Sequence, residues 1–202
     1  MESKLAKFFS IVFQPLLIPT YSLLILFNLN NHIAFGIPVN ARQMILGMVF
    51  ITTFLLPAIF LVFLYKRGII KTLQMDSREE RIFPMIITGI FYLTTYYIIR
   101  KFQLDSIYIR LFLGSVVTVL GALIISLYWK ISMHMMGIGG LAGALAGVAQ
   151  SLNIDMTTWI IIALFCSGLT GFARLRLNAH TPGQVYAGFL SGFLILFFFF
   201  WL

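Results

Sequence analysis

Charge is what this chain has least of. Only 10% of its 202 residues are Asp, Glu, Lys or Arg, against roughly 25% in a soluble globular domain, while 60% are hydrophobic. A core enclosing that much apolar side chain would be far larger than a 22.9 kDa chain allows. A water-soluble enzyme is thereby excluded, and the solvent is lipid. Cysteine is nearly missing too. Cys166 stands alone in an apolar run, which excludes an intramolecular disulfide and a cysteine-based metal site. Acidic residues number six, and no repeated aspartate motif of the kind metal-dependent lipid transferases use is present. No Lys/Arg run is dense enough for nucleic acid, despite a net charge of +8. In a membrane protein such an excess anchors loops and meets anionic lipid. The expected partner is therefore the bilayer, with no nucleic acid and no cofactor.

What the chain does have is long apolar runs. A membrane helix needs about 20 residues, and seven stretches qualify: about 8–29, 44–65, 82–99, 107–129, 135–149, 157–173 and 184–202. The count is six if the first run, interrupted by Gln14, Pro15 and Pro19, is only re-entrant. The N-terminal sequence Met1-Glu2-Ser3-Lys4-Leu5-Ala6-Lys7 resembles a signal sequence, but no small-residue cleavage site follows, so a retained anchor is expected. The expected fold class is all-α, a polytopic transmembrane helical bundle forming a single integral membrane domain over 1–202. A bacterial inner membrane is the expected location. In the fifth run Gly139, Gly140, Gly143 and Gly147 make overlapping small-xxx-small patterns, which let another helix approach closely. That run is expected to be central, and such faces are also compatible with a helix-mediated homo-oligomer.

The parity of the spans brings three polar segments to one membrane face: 71–81, Lys130 to His134, and Arg174 to His180. They carry Lys71, Arg78, Arg81, Lys130, Arg174 and Arg176 with two of the three histidines, while the opposite face has His32, Arg42, Arg100, Lys101 and Arg110. Basic side chains and imidazoles at helix ends suit a lipid phosphate. The cations neutralise its oxygens, helix N-terminal N–H groups add donors, and a neutral imidazole can attack phosphorus.

The spacing narrows this. Lys71-x6-Arg78, Ser132-Met133-His134 and Arg174-x5-His180-x3-Gln184 follow in order. Over residues 71–190 the chain resembles the type-2 phosphatidic acid phosphatase superfamily, whose signatures are K-x6-R-P, P-S-G-H and S-R-x5-H-x3-D. The resemblance implies an integral membrane phosphatase acting on a lipid phosphate or pyrophosphate through a phosphohistidine intermediate, with no metal. It implies that His180 is the nucleophile and His134 the general acid. Lys71, Arg78, Arg174 and the Ser132 hydroxyl would hold the phosphate oxygens, and Gln184 would orient His180. The chain departs from the signatures in several places. Glu79 replaces the proline, so that Arg78 and Arg81 (followed closely by Pro84) compete for one role. Ile131 and Met133 replace the proline and glycine of the second signature. Ala173 replaces a serine, and Gln184 an aspartate.

Each residue also has a plainer use. Thr181-Pro182-Gly183-Gln184 is a good helix start with Gln184 as capping-box partner. His134 and His180 fit as interfacial histidines, Lys130 and Arg176 as anchors, and Asp76, Glu79 and Glu80 as salt-bridged loop charges. An alternative of a different class is a non-enzymatic lipid-phosphate binder or transporter that keeps the cationic pocket, and the uncharged Gln184 favours it. Orientation stays open. The basic excess on the site face points to the cytoplasm, whereas the family resemblance implies the outer face.

Overall fold

The computed structural model describes residues 2–29, 36–72 and 78–201. Among these the protein is all-α. The helices are α1 (Glu2–Val12), α2 (Ile18–Phe27), α3 (Val39–Lys66), α4 (Arg78–Lys101), α5 (Ser106–Ser126), α6 (Met133–Leu152), α7 (Thr157–Arg176) and α8 (Pro182–Phe199). Taking α1 with α2 as one run, 7 helical segments of the described residues are long and apolar enough to cross a membrane. The exposed surface agrees with that. On α7, Ile161, Ile162, Leu164 and Phe165 face outward while Ser167 and Thr170 are buried. Their hydroxyls donate to the carbonyls of Ala163 and Cys166 in their own helix, as polar groups in lipid must find an internal partner.

The chain divides into two packing units: a terminal unit, Met1–Ile18 with Tyr128–Leu202, and a middle unit, Pro19–Leu127. In the terminal unit α6 is the most buried helix, as its glycines led us to expect. Its partner is α8. A side chain on Gly139 or Gly143 would collide with the carbonyls of Phe189 and Phe193. Reciprocally, one on Gly192 would collide with the carbonyl of Met136. A side chain on Gly188 would come within 2.8 Å of the Ser132 carbonyl. Residue numbers rise together along both helices in these pairs, so α6 and α8 run parallel and begin at the same end. Helix α7 connects them, and α1 packs against α7.

In the middle unit α4 and α5 form a hairpin, and Asp105 caps α5 by accepting the Ile107 N–H at 3.0 Å. Helix α4 begins earlier than the apolar run because Arg78 to Arg81 form its first turn. Helix α3 contains a π segment, Ile51–Leu55, that hydropathy does not reveal. There the Thr95 hydroxyl of α4 donates to the Thr52 hydroxyl at 2.8 Å. Arg42 holds the carbonyls of Ile37 and of Phe27, the last residue of α2, each at 2.8 Å. A cation there complements the negative end of that helix.

Candidate functional site

The site candidates of the terminal unit come together where α6 and α8 start and α7 ends. Ser132 is the N-cap of α6, its Oγ accepting the Met135 N–H at 3.4 Å. His134 follows in the first turn. Thr181 is the N-cap of α8, and His180 immediately precedes it. Because the two helices are parallel neighbours, both N-termini lie at the same end of the unit, the N-cap of α6 level with Gly188 of α8. Their unsatisfied N–H groups and positive dipole ends favour an anion there. Gly183, in the first turn of α8, has open space around it.

Gln184 performs both functions that its position permits. Its Oε1 accepts the Thr181 N–H at 3.2 Å, while the Thr181 hydroxyl faces the Gln184 N–H at 3.5 Å, completing the capping box. The same Oε1 lies 3.1 Å from Nδ1 of His180. A backbone N–H can only donate, so its partner on Gln184 must be the amide oxygen. The ring atom facing that oxygen must then carry the proton. In the neutral ring this places the lone pair on Nε2 of His180.

His134 is held the opposite way round. Its Nε2 meets the carbonyl oxygen of Ser10 at 3.1 Å. A carbonyl only accepts, so Nε2 is protonated and Nδ1 is the unengaged ring atom. The ring lies in electrostatic range of Arg174 and His180. Arg174, in the last turn of α7, donates through Nη1 to the Ser10 hydroxyl at 3.2 Å. Its buried Nε has no hydrogen-bond acceptor among the described residues. Arg176 is used differently, pairing at 2.9 Å with Glu2 in an exposed ion pair that contributes little to stability.

Ser10 is the residue that sequence reasoning missed. The signal was slight: one hydroxyl within Phe8-Phe9-Ser10-Ile11-Val12. Ser132 is fully buried, and its hydroxyl is engaged in capping. Of the remaining candidates, Lys71, Arg78 and Arg81 belong to the middle unit. Lys71 is exposed, and its N–H donates to Glu80 at 3.3 Å. Arg78 is the first residue of α4, and its side chain, like that of Glu79, lies outside the described residues. Arg81 is half-buried in the first turn of α4. His32 and Asp76 also lie outside the described residues.

Among the described residues no three of His, Cys, Asp and Glu gather as a metal site would require. Comparison with protein-family models, with curated proteins and with solved structures finds no match.

Proposed function

We propose that the protein is an integral membrane phosphatase hydrolysing a lipid phosphate or pyrophosphate, with His180 as nucleophile. The observation that carries this reading is the hydrogen bond from Nδ1 of His180 to Gln184 Oε1, an oxygen identified by the Thr181 N–H beside it. It selects the tautomer in which Nε2 can attack. In the proposed cycle that lone pair forms a bond to phosphorus as the bond from phosphorus to the lipid oxygen breaks. The leaving oxygen takes a proton from His134. The Nε2 proton of His134 is occupied by the Ser10 carbonyl, so the proton given is one that Nδ1 first takes from the monoprotonated phosphate of the substrate. Water then gives a proton to Nδ1 of His134 as its oxygen attacks the phosphohistidine; the bond from phosphorus to Nε2 breaks, orthophosphate leaves with that proton, and both histidines are restored. Arg174 and the helix N-termini offset the charge that spreads over the phosphoryl oxygens. A bacterial inner membrane is the proposed location.

The second reading, a lipid-phosphate binder or transporter without efficient turnover, draws on the same residues. It is favoured by the uncharged Gln184, which holds the imidazole but adds no negative charge to stabilise the imidazolium. Phosphate release from a panel of lipid phosphates by purified protein, with chelator present, separates the two. The hydrolase reading expects release that survives the chelator, inhibition by vanadate, and weaker inhibition in Arg174→Ala. Binding of lipid phosphate with no release would support the second reading. Loss of release on adding chelator would point to a metal mechanism instead.

A further inference from the structure

We propose that Ser10 of α1 is a positioning residue for phosphate recognition, its hydroxyl setting the Arg174 guanidinium and its carbonyl setting the His134 ring. The inference rests on reading the start of α6 and α8 as a phosphate site, and it assigns that site a component from the N-terminal helix.

The local sequence explains why this carbonyl is available. Pro15 disfavours helical geometry at the residue before it, and Gln14 has ψ 127°, so α1 stops at Val12. The Phe13 N–H still reaches the Phe9 carbonyl at 2.9 Å, but the Gln14 N–H turns to Ile11 at 3.3 Å. The Ser10 carbonyl is thereby passed over by its own helix. A terminal helix carbonyl shielded from water needs another donor, and His134 Nε2 provides it at 3.1 Å. The hydroxyl of the same residue, 9% exposed, holds Nη1 of Arg174 at 3.2 Å. With that corner fixed, the edge formed by Nε and Nη2 remains. It is the edge that can offer two parallel N–H bonds to phosphate oxygens, and its Nε has no acceptor among the described residues.

The ligand chemistry is a phosphoryl group, supplied either by a lipid headgroup or by free phosphate, and the experiment keeps the two apart. Orthophosphate binding to the full chain in lipid nanodiscs is measured by calorimetry for the wild type, Ser10→Ala, Arg174→Lys and the double variant. A parallel series uses nanodiscs doped with phosphatidate. Ser10→Ala should weaken phosphoryl binding about tenfold, the scale of one hydrogen bond to a charged group. It should have little further effect in the Arg174→Lys background, where the guanidinium it positions is gone. Loss in the orthophosphate series shows a site for free phosphate. Loss confined to phosphatidate shows a headgroup site.

The carbonyl is tested by Pro15→Ala, which keeps the Cβ but lets the Gln14 N–H compete for Ser10. The nitrogen-15 resonance of His134 Nε2 should move in Pro15→Ala and stay in place in Ser10→Ala. The positioning role is overturned by any of three results: unchanged binding in Ser10→Ala, an equal loss in both backgrounds, or no phosphoryl binding by the wild type. The third also removes the phosphate reading. Phosphoryl binding that depends on Ser10 without any lipid-phosphate hydrolysis sinks the hydrolase reading alone.

Discussion

In the terminal unit, α6 and α8 meet backbone to backbone, with Gly139 and Gly143 against the carbonyls of Phe189 and Phe193 and Gly192 against that of Met136. The middle unit packs through side chains. Gly89 of α4 has only the methyl groups of Leu120 and Val119 near it, a side chain there standing 3.8 Å from each, and the join between α3 and α4 includes the Thr95–Thr52 hydrogen bond. The contrast has a physical basis. Lipid tails are as apolar as leucine, so burial does not drive membrane helices together, and fit and hydrogen bonding must. Close backbone approach needs absent side chains along a full stripe and leaves little freedom. Side-chain packing tolerates irregularity, and the middle unit has it, with a π segment at Ile51–Leu55 and Pro84 inside α4. The unit with the tighter join is also the one that gathers two histidines and Arg174 at its helix ends, where small displacements of aligned groups matter most.

The contrast breaks most visibly at the glycines. Gly143→Ala should cost about 3 kcal/mol or more, because its methyl group meets a backbone carbonyl that no rotamer change can move. Gly89→Ala should be neutral, or stabilising by up to about 1 kcal/mol, through helix propensity alone. Thermal unfolding in detergent compares the two, and equal losses would remove the distinction between backbone-packed and side-chain-packed units.

Next in size is the effect of separating fold from chemistry within the terminal unit. His180→Ala should leave the unfolding midpoint almost unchanged and abolish any covalent phosphoenzyme trapped from radiolabelled lipid phosphate. His134→Ala should slow lipid substrates far more than activated aryl phosphates, whose leaving groups need no proton. Equal slowing of both substrates would take the general-acid role from His134.

Gln184 gives a smaller and two-sided effect, because one oxygen serves both the cap and the histidine. Gln184→Leu should cost about 1 kcal/mol of stability and lower turnover per folded molecule roughly tenfold, the scale of one lost hydrogen bond to a group that becomes charged. Gln184→Glu keeps both acceptor roles and should retain or raise turnover. Full turnover in folded Gln184→Leu would leave only the cap. The smallest effect belongs to the middle unit. Thr95→Val should cost about 0.6 kcal/mol, as interhelical hydrogen bonds in membranes typically do, with phosphoryl binding unchanged. A change in binding would show that the π segment of α3 influences the site.

Much of the architecture is legible in the sequence. Apolar run length located the helices, because a span is dictated by bilayer thickness. The ends moved by a few residues: α4 extends back to Arg78, since charged residues are welcome in a first turn at the interface, and α8 starts at Pro182. The glycine spacing identified a close-packed face on α6. It did not say which helix covers it, because Gly188 and Gly192 of α8 are too short a pattern to name a partner. The reach of Gln184 back to His180 was readable because it is local, one turn of helix.

Composition, apolar run length and local spacing thus determined by themselves that this is an all-α chain built for lipid, with two histidines beside helix starts and a capping residue within reach of one of them. These are consequences of short-range geometry and of the solvent. Tertiary structure alone decided that α6 and α8 run parallel, so that both begin at the same end of the unit. It alone brought Ser10, 124 positions from His134 and 164 from Arg174, to hold both. No local pattern encodes such a contact, because it depends on where Pro15 ends one helix and where close-packed glycines seat another.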